Sequence, residues 1–481
     1  MAKSTKTKTK THAKTAERSP GAEEPDFTTP VLPVEVRMAE GKALRAKVPH
    51  KAHAEYDPPR KRQDPVDILE AQARTRVPHL VPIRYARMLA NPFAFLRGSA
   101  AVMAGDLAPT PVTGLTVQCC GDMHVSNFGV FGTAERNLVF GINDFDETLP
   151  GPWEWDLKRL AASIVVAGQY LGADKALCED GAQAIVRSYR KRMREFAEMG
   201  HMQLWYSRID EQAVLANIDA STRAGAERMM AKAHQRGHLQ VLEKMTELVD
   251  DQHRILEEAP LVVRETHDEK GQAVADSVSK LFAVYVKSLP EERRVLLGRY
   301  RIVDVARKVV GVGSVGTRCW IVLMMGNGTG DPLFLQYKEA QSSVLAPYTR
   351  APSYDCEGRR VVVGQRLIQG APDIFLGWGE RYGIHFYVRQ LRDMKGGVEF
   401  EPGKANVKNI AQYGKLCGWA LAQAHAKSTD PALLAGYLGK NEGMDEAVAK
   451  FAFRYAKQTE RDHAALEKAA KSKRIQVAAS P

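Results

Sequence analysis

Residues 120–129 read CGDMHVSNFG, and residues 141–147 read GINDFDE. Asp122 and Asn127 stand in a D-x-x-x-x-N spacing, and Asp144 follows 17 residues after Asn127. The first stretch shows no helical period. Asp and Asn in such a stretch often do no more than shape a tight turn. The alternative is a rigid loop whose acid and amide face a common ligand. The neighbouring sequence decides between the two.

GLTVQC at 114–119 and NLVFGI at 137–142 read as short strands, each running into the polar stretch that follows. WEWDLKRLAAS at 153–163 opens an amphipathic helix, with Asp156 in its first turn. Asp156 could bond back into the loop and hold it rigid; favourable interaction with the helix dipole accounts for it equally well. A loop, an acid at a strand end and a following helix fit a catalytic loop better than a lone turn.

The chemistry matches phosphoryl transfer. In protein kinases a D-x-x-x-x-N loop supplies an Asp that accepts the proton of the attacking hydroxyl and an Asn that binds magnesium. A hard cation wants oxygen ligands, and Asn127 with Asp144 and phosphate oxygens would supply them. His124, inside the loop, is a candidate to contact substrate or to stabilise the loop. His425, in LAQAHAKS, reads as a packed helix-end residue.

Far downstream lies GVGSVG, Gly311 to Gly316. A lone G-x-G-x-x-G is weak evidence. A dinucleotide-binding fold would follow it with a helix, but the next residues, TRCWIVLMM, have a strand pattern. Two readings remain, a plain hairpin and a hairpin whose Gly311, Gly313, Ser314 and Gly316 cover phosphates. Lys338, in FLQYKEA, ends an apolar strand 22 residues after Gly316 and could hold phosphates from below. Such a Lys needs a carboxylate. Glu357, 19 residues on at the start of GRRVVVGQRLIQ, is the first choice. Alternation along a strand points the adjacent Glu339 the other way.

The 481 residues allow two or three domains. The net charge of +11 sits mostly at the ends. Residues 1–20 carry six Lys/Arg against one Glu, and residues 468–481 carry four Lys/Arg and no acid. The body is nearly neutral, so no sequence-specific nucleic-acid surface is expected. No apolar run approaches the roughly 18–20 residues of a membrane helix. The basic N-terminus lacks a secretory h-region and reads as a disordered tail rather than a transit peptide. Six scattered cysteines with no C-x-x-C pair argue for a reducing, cytoplasmic setting.

The expected layout has five parts. Residues 1–63 form a basic, largely disordered tail, with order beginning at Asp64-Pro65, an N-cap followed by Pro. Residues 64–300 form a helical lobe carrying the loop, almost wholly helical from Trp153 onward. Residues 301–400 form an antiparallel sheet unit, with a helix near 355–369 and a strand at 385–391. Helices return at 401–470, and 471–481 is a basic tail.

CGDMHVSNFG, NDFDETLPGPWEWDLKRLAAS, GVGSVGTR, QYKEA and AQAHA together resemble the bacterial family known as domain of unknown function 2252, over roughly residues 65–470. GDMHVSN and NDFD are also similar to the aminoglycoside phosphotransferase and protein-kinase-like superfamily, which carries His where this chain has Cys120. In that superfamily the Gly-rich loop and Lys come first, then a helix of the form L-A-x-x-H-A, then the catalytic loop. Here the catalytic loop comes first. The resemblance therefore implies an α+β, two-lobed, kinase-like fold that is circularly permuted. Its large lobe would be mostly helical and its nucleotide lobe a small antiparallel sheet. It implies a phosphotransferase using ATP and Mg²⁺ on a hydroxyl of a small molecule or protein. Asp122 and His124 would be catalytic, Asn127 and Asp144 metal-binding, and Gly311, Gly313, Ser314, Gly316, Lys338 and Glu357 nucleotide-binding. A nucleotide-binding scaffold and a metal-dependent phosphohydrolase are the alternatives.

Overall fold

The computed structural model describes residues 27–266, 274–328, 330–351, 354–391, 394–403 and 405–479. The fold is α+β, as expected. At its centre lies the helix Trp153–Tyr170, in which every residue from Trp153 to Gly168 is buried. A helix buried all round must be enclosed by others. Lys175–Glu198 and Gly443–Lys471 pack against it, and Ile410–Ala426 packs on Lys175–Glu198. No described helix is long and apolar enough to cross a membrane. The six cysteines are free and buried.

Asp64 caps the helix Pro65–Ala73, its carboxylate accepting from the N–H of Val66 at 2.7 Å. Ordered structure starts earlier than Asp64, however. Val34–Ala43 is a helix laid on Pro431–Leu438, and a short 3-10 turn at His50–Ala54 packs on Gly443–Lys471. His53 and Ala54 are buried. The expected tail is therefore in part a strap around the helical body; residues 1–26 lie outside the described residues. The C-terminal tail is also tied down in part. Arg474 pairs with Asp67 and Glu70, and Ile475 is buried.

The sheet has six strands in the order Gly377–Arg381, Ile384–Gln390, Pro332–Glu339, Cys319–Met325, Arg301–Lys308 and Val262–Val263, with antiparallel neighbours throughout. Pro332–Glu339 is buried at all eight positions, because strands flank it and both faces are covered. Val278, Leu281 and Tyr285 of the helix Val274–Lys287 cover one face, against Val322, Leu335 and Tyr337. Val241, Leu242 and Ile255 cover the other, against Ile321, Leu323 and Phe334. A boundary at residue 300 is therefore too late, since both covers precede it in the chain. The stretch from Trp153 to Tyr300, expected to be almost wholly helical, is less helical than that. A hairpin, Thr246–Val249 with Gln252–Ile255, interrupts it.

Candidate functional site

Two small antiparallel pairs hold the polar loop. Thr116–Cys119 pairs with Leu149–Pro152, and Phe128–Gly132 pairs with Leu138–Ile142. Residues 120–127 cross from the first pair to the second, and residues 143–148 cross back. The two crossings must run side by side. The N–H of Asn143 donates to the Asn127 carbonyl at 2.8 Å, and the Cys120 thiol donates to the Asp144 carbonyl at 3.0 Å. Gly121 has φ +83°, and a Cβ there would lie 2.4 Å from the Glu147 carbonyl oxygen. Only glycine meets both conditions.

Of the two readings open for Asp156, the structure shows the bond back to the loop. The Asp156 carboxylate accepts the N–H of Cys120 at 2.6 Å and of Gly121 at 3.0 Å. His425 braces Asp156 at 3.3 Å through Nε2, while its Nδ1 meets the Tyr189 hydroxyl at 2.8 Å. His425 is thus a buried structural residue, one step removed from the loop.

Asp122 points into a cleft between this loop and the glycine-rich turn. The cleft holds about 100 Å³ of space that water can occupy, narrower than the roughly 300–1,000 Å³ of most small-molecule sites, and it opens to solvent at its mouth. Asp122, His124, Asn127, Asp144, Gly311, Gly313 and Ser314 all line it. These residues come from chain segments well over a hundred positions apart. Arg159 donates to Asp122 through Nε at 2.9 Å and through a second, shorter bond. Burial pushes the Asp122 carboxyl above its ordinary value, against the pull of Arg159. His124 Nε2 lies 3.8 Å from Asp122, and its Nδ1 is buried without a partner. Burial, then the charges of Arg97 and Arg159, hold His124 well below its ordinary pKa, so it is neutral.

The Asn127 Nδ2 donates to the Asp122 carbonyl at 2.7 Å, leaving its Oδ1 to accept or to ligate. Asp144 is partly exposed to the cleft and 4.0 Å from Lys338 Nζ. One amide oxygen and one carboxylate, with room for ligand oxygens, suit a magnesium ion of the kind that keeps most of its shell from phosphates and water. Among the described residues no cluster of three or more His, Cys, Asp or Glu forms a metal cage.

Lys338 does not meet Glu357. It pairs with Asp146, which also accepts from the Tyr387 hydroxyl at 2.6 Å and from Ser314 Oγ at 3.1 Å. Against the cost of burial, Asp144 and Asp146 raise the Lys338 pKa, and Lys338 holds the Asp146 carboxyl down at about 2. Glu357 instead pairs with Arg360, one turn along its own helix, Glu357–Ile368. Arg360 is the true link from that helix to the site: it donates to the carbonyls of Thr148, Asp146 and Gln341 at 2.6–2.8 Å. Glu339 makes no ion pair with Lys338 among the described residues; its partner is Arg318. Glu339 lines the cleft and accepts from the Arg318 N–H at 2.9 Å. Gly316 sits at the edge, its carbonyl accepting from Val77 N–H at 2.8 Å.

Sequence reasoning missed Asp146, Arg159, Arg360 and the arginines before the loop. Two signals were available. Asp146 is two residues past Asp144, and Arg159 stands three after Asp156, which puts it on the same helix face.

A helical body, an antiparallel sheet and a charged cleft between them define an α+β protein. Over residues 76–469 the chain matches the family described as "Uncharacterized protein conserved in bacteria (DUF2252)", and it belongs to that family. Searches of the curated proteins and of the solved structures returned no match.

Proposed function

We propose that this protein is an ATP- and Mg²⁺-dependent phosphotransferase with a circularly permuted kinase-like fold, acting on a hydroxyl of a small molecule or protein. One observation carries the reading: the D-x-x-x-x-N loop, the acids at 144 and 146 and the glycine-rich turn line a single cleft. The connectivity adds support. A glycine-rich turn joins two strands, the next strand carries Lys338, and a helix follows it, which is the order of the Gly-rich loop, the strand-borne Lys and the following helix in protein kinases.

In this reading Asp122 accepts the proton of the attacking hydroxyl, and its raised pKa makes it a stronger base than an exposed carboxylate. Arg159 fixes its orientation. Asn127 and Asp144 hold the metal, which neutralises phosphate charge when bound. Lys338, set by Asp146, contacts the phosphates, and Gly311 to Gly316 cover them. Positioning and charge compensation supply most of the rate.

The ion pair between Asp122 and Arg159 also favours a second reading, a nucleotide-binding scaffold in which the acid is structural. One set of measurements separates the two. Mg-ATP binding is followed by calorimetry, and transfer of the terminal phosphate is followed to the protein itself and to a panel of hydroxyl compounds. The enzyme reading expects Asp144→Ala to abolish turnover. It expects Asp122→Ala to keep Mg-ATP binding while transfer falls about 10²–10⁴-fold. Binding without transfer to any acceptor leaves the scaffold. Absence of Mg-ATP binding sinks both.

A further inference from the structure

Three guanidinium groups enter the cleft from the helices that precede the loop, and the roles above use none of them. Arg76 follows Pro65–Ala73, Arg84 lies in Val81–Leu89 and Arg97 in Pro92–Gly98. All three line the cleft. Arg84 is 1% exposed and Arg76 8%.

Their hydrogen bonds are incomplete. Arg84 uses only one terminal nitrogen, on Gln72 Oε1 at 2.8 Å and the Gly98 carbonyl at 3.0 Å. Its Nε and other terminal nitrogen are buried without a partner. Arg76 bonds the Val315 carbonyl at 2.5 Å, but its Nε has none. Arg97 lies over the Phe93 ring and makes no hydrogen bond among the described residues, with a buried Nε. None of the three forms an ion pair among the described residues.

The cleft's own acids are otherwise engaged. Asp122 is held by Arg159, Asp146 by Lys338 and Glu339 by Arg318. Glu147 accepts from the Val344 N–H at 2.8 Å, and burial pushes its carboxyl up to about 7, which weakens it as a counter-ion. Asp144 lies 4.0 Å from Lys338 Nζ and is the metal ligand in the phosphotransferase reading. A guanidinium cannot shed its proton as a buried carboxyl can gain one. Buried, unpaired guanidiniums are costly, and clustered orphan donors mark a missing acceptor. Several forked donors around one space suit a tetrahedral oxyanion.

We propose that Arg76, Arg84 and Arg97 form a second oxyanion site, distinct from Lys338, that binds a phosphate group. The site is read from the orphan donors alone. Its place in catalysis rests on the phosphotransferase reading, in which the phosphate belongs either to the nucleotide's terminal group or to an anionic acceptor.

The test titrates the full chain with inorganic phosphate by calorimetry, without nucleotide, so it is decided even if Mg-ATP never turns over. Saturable binding is expected, weakened about 10-fold or more by Arg97→Gln and by Arg84→Gln, the scale of one charge-assisted hydrogen bond. Arg84 is deeply buried, so circular dichroism checks that its variant folds; if it does not, Arg97→Gln decides alone. Repeating the titration with saturating Mg-ATP tells the sources apart. Displacement of phosphate, with a matching loss of Mg-ATP affinity in Arg97→Gln, assigns the site to the nucleotide. Simultaneous binding, with Mg-ATP affinity unchanged, assigns it to an anionic acceptor. No phosphate binding by the wild type, or equal binding by the wild type and a folded variant, overturns the proposal.

Discussion

The carboxylate of Asp156 accepts the backbone N–H of Gly121 at 3.0 Å, and its other oxygen accepts that of Cys120 at 2.6 Å. A side chain from the central helix thus sets the backbone of the candidate catalytic loop. Asp156→Ala would orphan two buried donors, each costing about 1–3 kcal/mol. We expect a loss of about 3 kcal/mol or more in urea denaturation. Asp156→Asn keeps an acceptor and should lose about half as much. A loss below about 0.5 kcal/mol for the alanine variant would mean the loop holds itself.

Lys338 takes its position from Asp146 and not from Glu357. Under the phosphotransferase reading this gives an unequal pair of variants. Asp146→Ala should weaken Mg-ATP binding about as much as Lys338→Ala, on the order of 10-fold or more, since each removes a charge-assisted contact or its support. Glu357→Ala should leave affinity within about twofold. Calorimetric titration of the three variants checks this, and equal losses for Glu357→Ala and Asp146→Ala would restore the sequence-based assignment.

Glu147 gives a pH signature. Burial raises its carboxyl from 4.5 to about 7 in the folded chain. Between those values the unfolded chain has released the proton that the folded chain keeps. The folded state therefore binds more protons, and stability falls as pH rises from about 4.5 to about 7. Glu147→Gln removes that penalty. The variant should melt above the wild type at pH 8, by up to about 3 kcal/mol in stability, and the difference should vanish toward pH 4.5. A difference that is constant with pH, or a variant that melts lower at pH 8, contradicts the assignment.

Much of this site was legible because it is local. Asp122, Asn127 and Asp144 lie within one supersecondary unit, and strand patterns on both sides fixed their crossing. The strands around Gly311 to Gly316 and Lys338 were legible for the same reason, since their apolar runs and glycine turns are local signals. Asp64 and Pro65 marked a helix start through cap chemistry that needs no tertiary partner. What failed was long-range partner choice. Lys338 had two acids near in sequence, but side-chain pairing is settled by packing. Asp146, 192 positions away, reached it first. The strap at 34–54 was read as tail because Val34–Ala43 has little amphipathic pattern of its own. Its stability comes from the helix it lies on, which no local window contains.

That strap can be tested at one contact. Gly41 of the strap helix and Gly436 of Pro431–Leu438 face each other's backbone. A Cβ on Gly41 would lie 1.9 Å from the Leu433 carbonyl oxygen, and one on Gly436 would lie 2.1 Å from that of Met38. Backbone cannot yield as a flexible side chain does, so any larger residue must separate the two helices. The strap is further held by Arg37, which donates to Asp430 at 2.7 Å, and by Arg45, which donates to the Tyr437 carbonyl at 2.7 Å. Gly436→Val should therefore break all three contacts together. We expect limited proteolysis to cut within residues 44–62 at least about 10-fold faster than in the wild type, while the helical body keeps its melting transition. Arg37→Ala, which leaves the backbone contact intact, should change the cleavage rate about threefold or less, because a part-exposed ion pair contributes only about 1 kcal/mol or less. Equal cleavage in the wild type and Gly436→Val would show that the strap is held elsewhere. The buried pair of His53 Nε2 and the Tyr437 hydroxyl, 2.6 Å apart, would then be the next contact to remove.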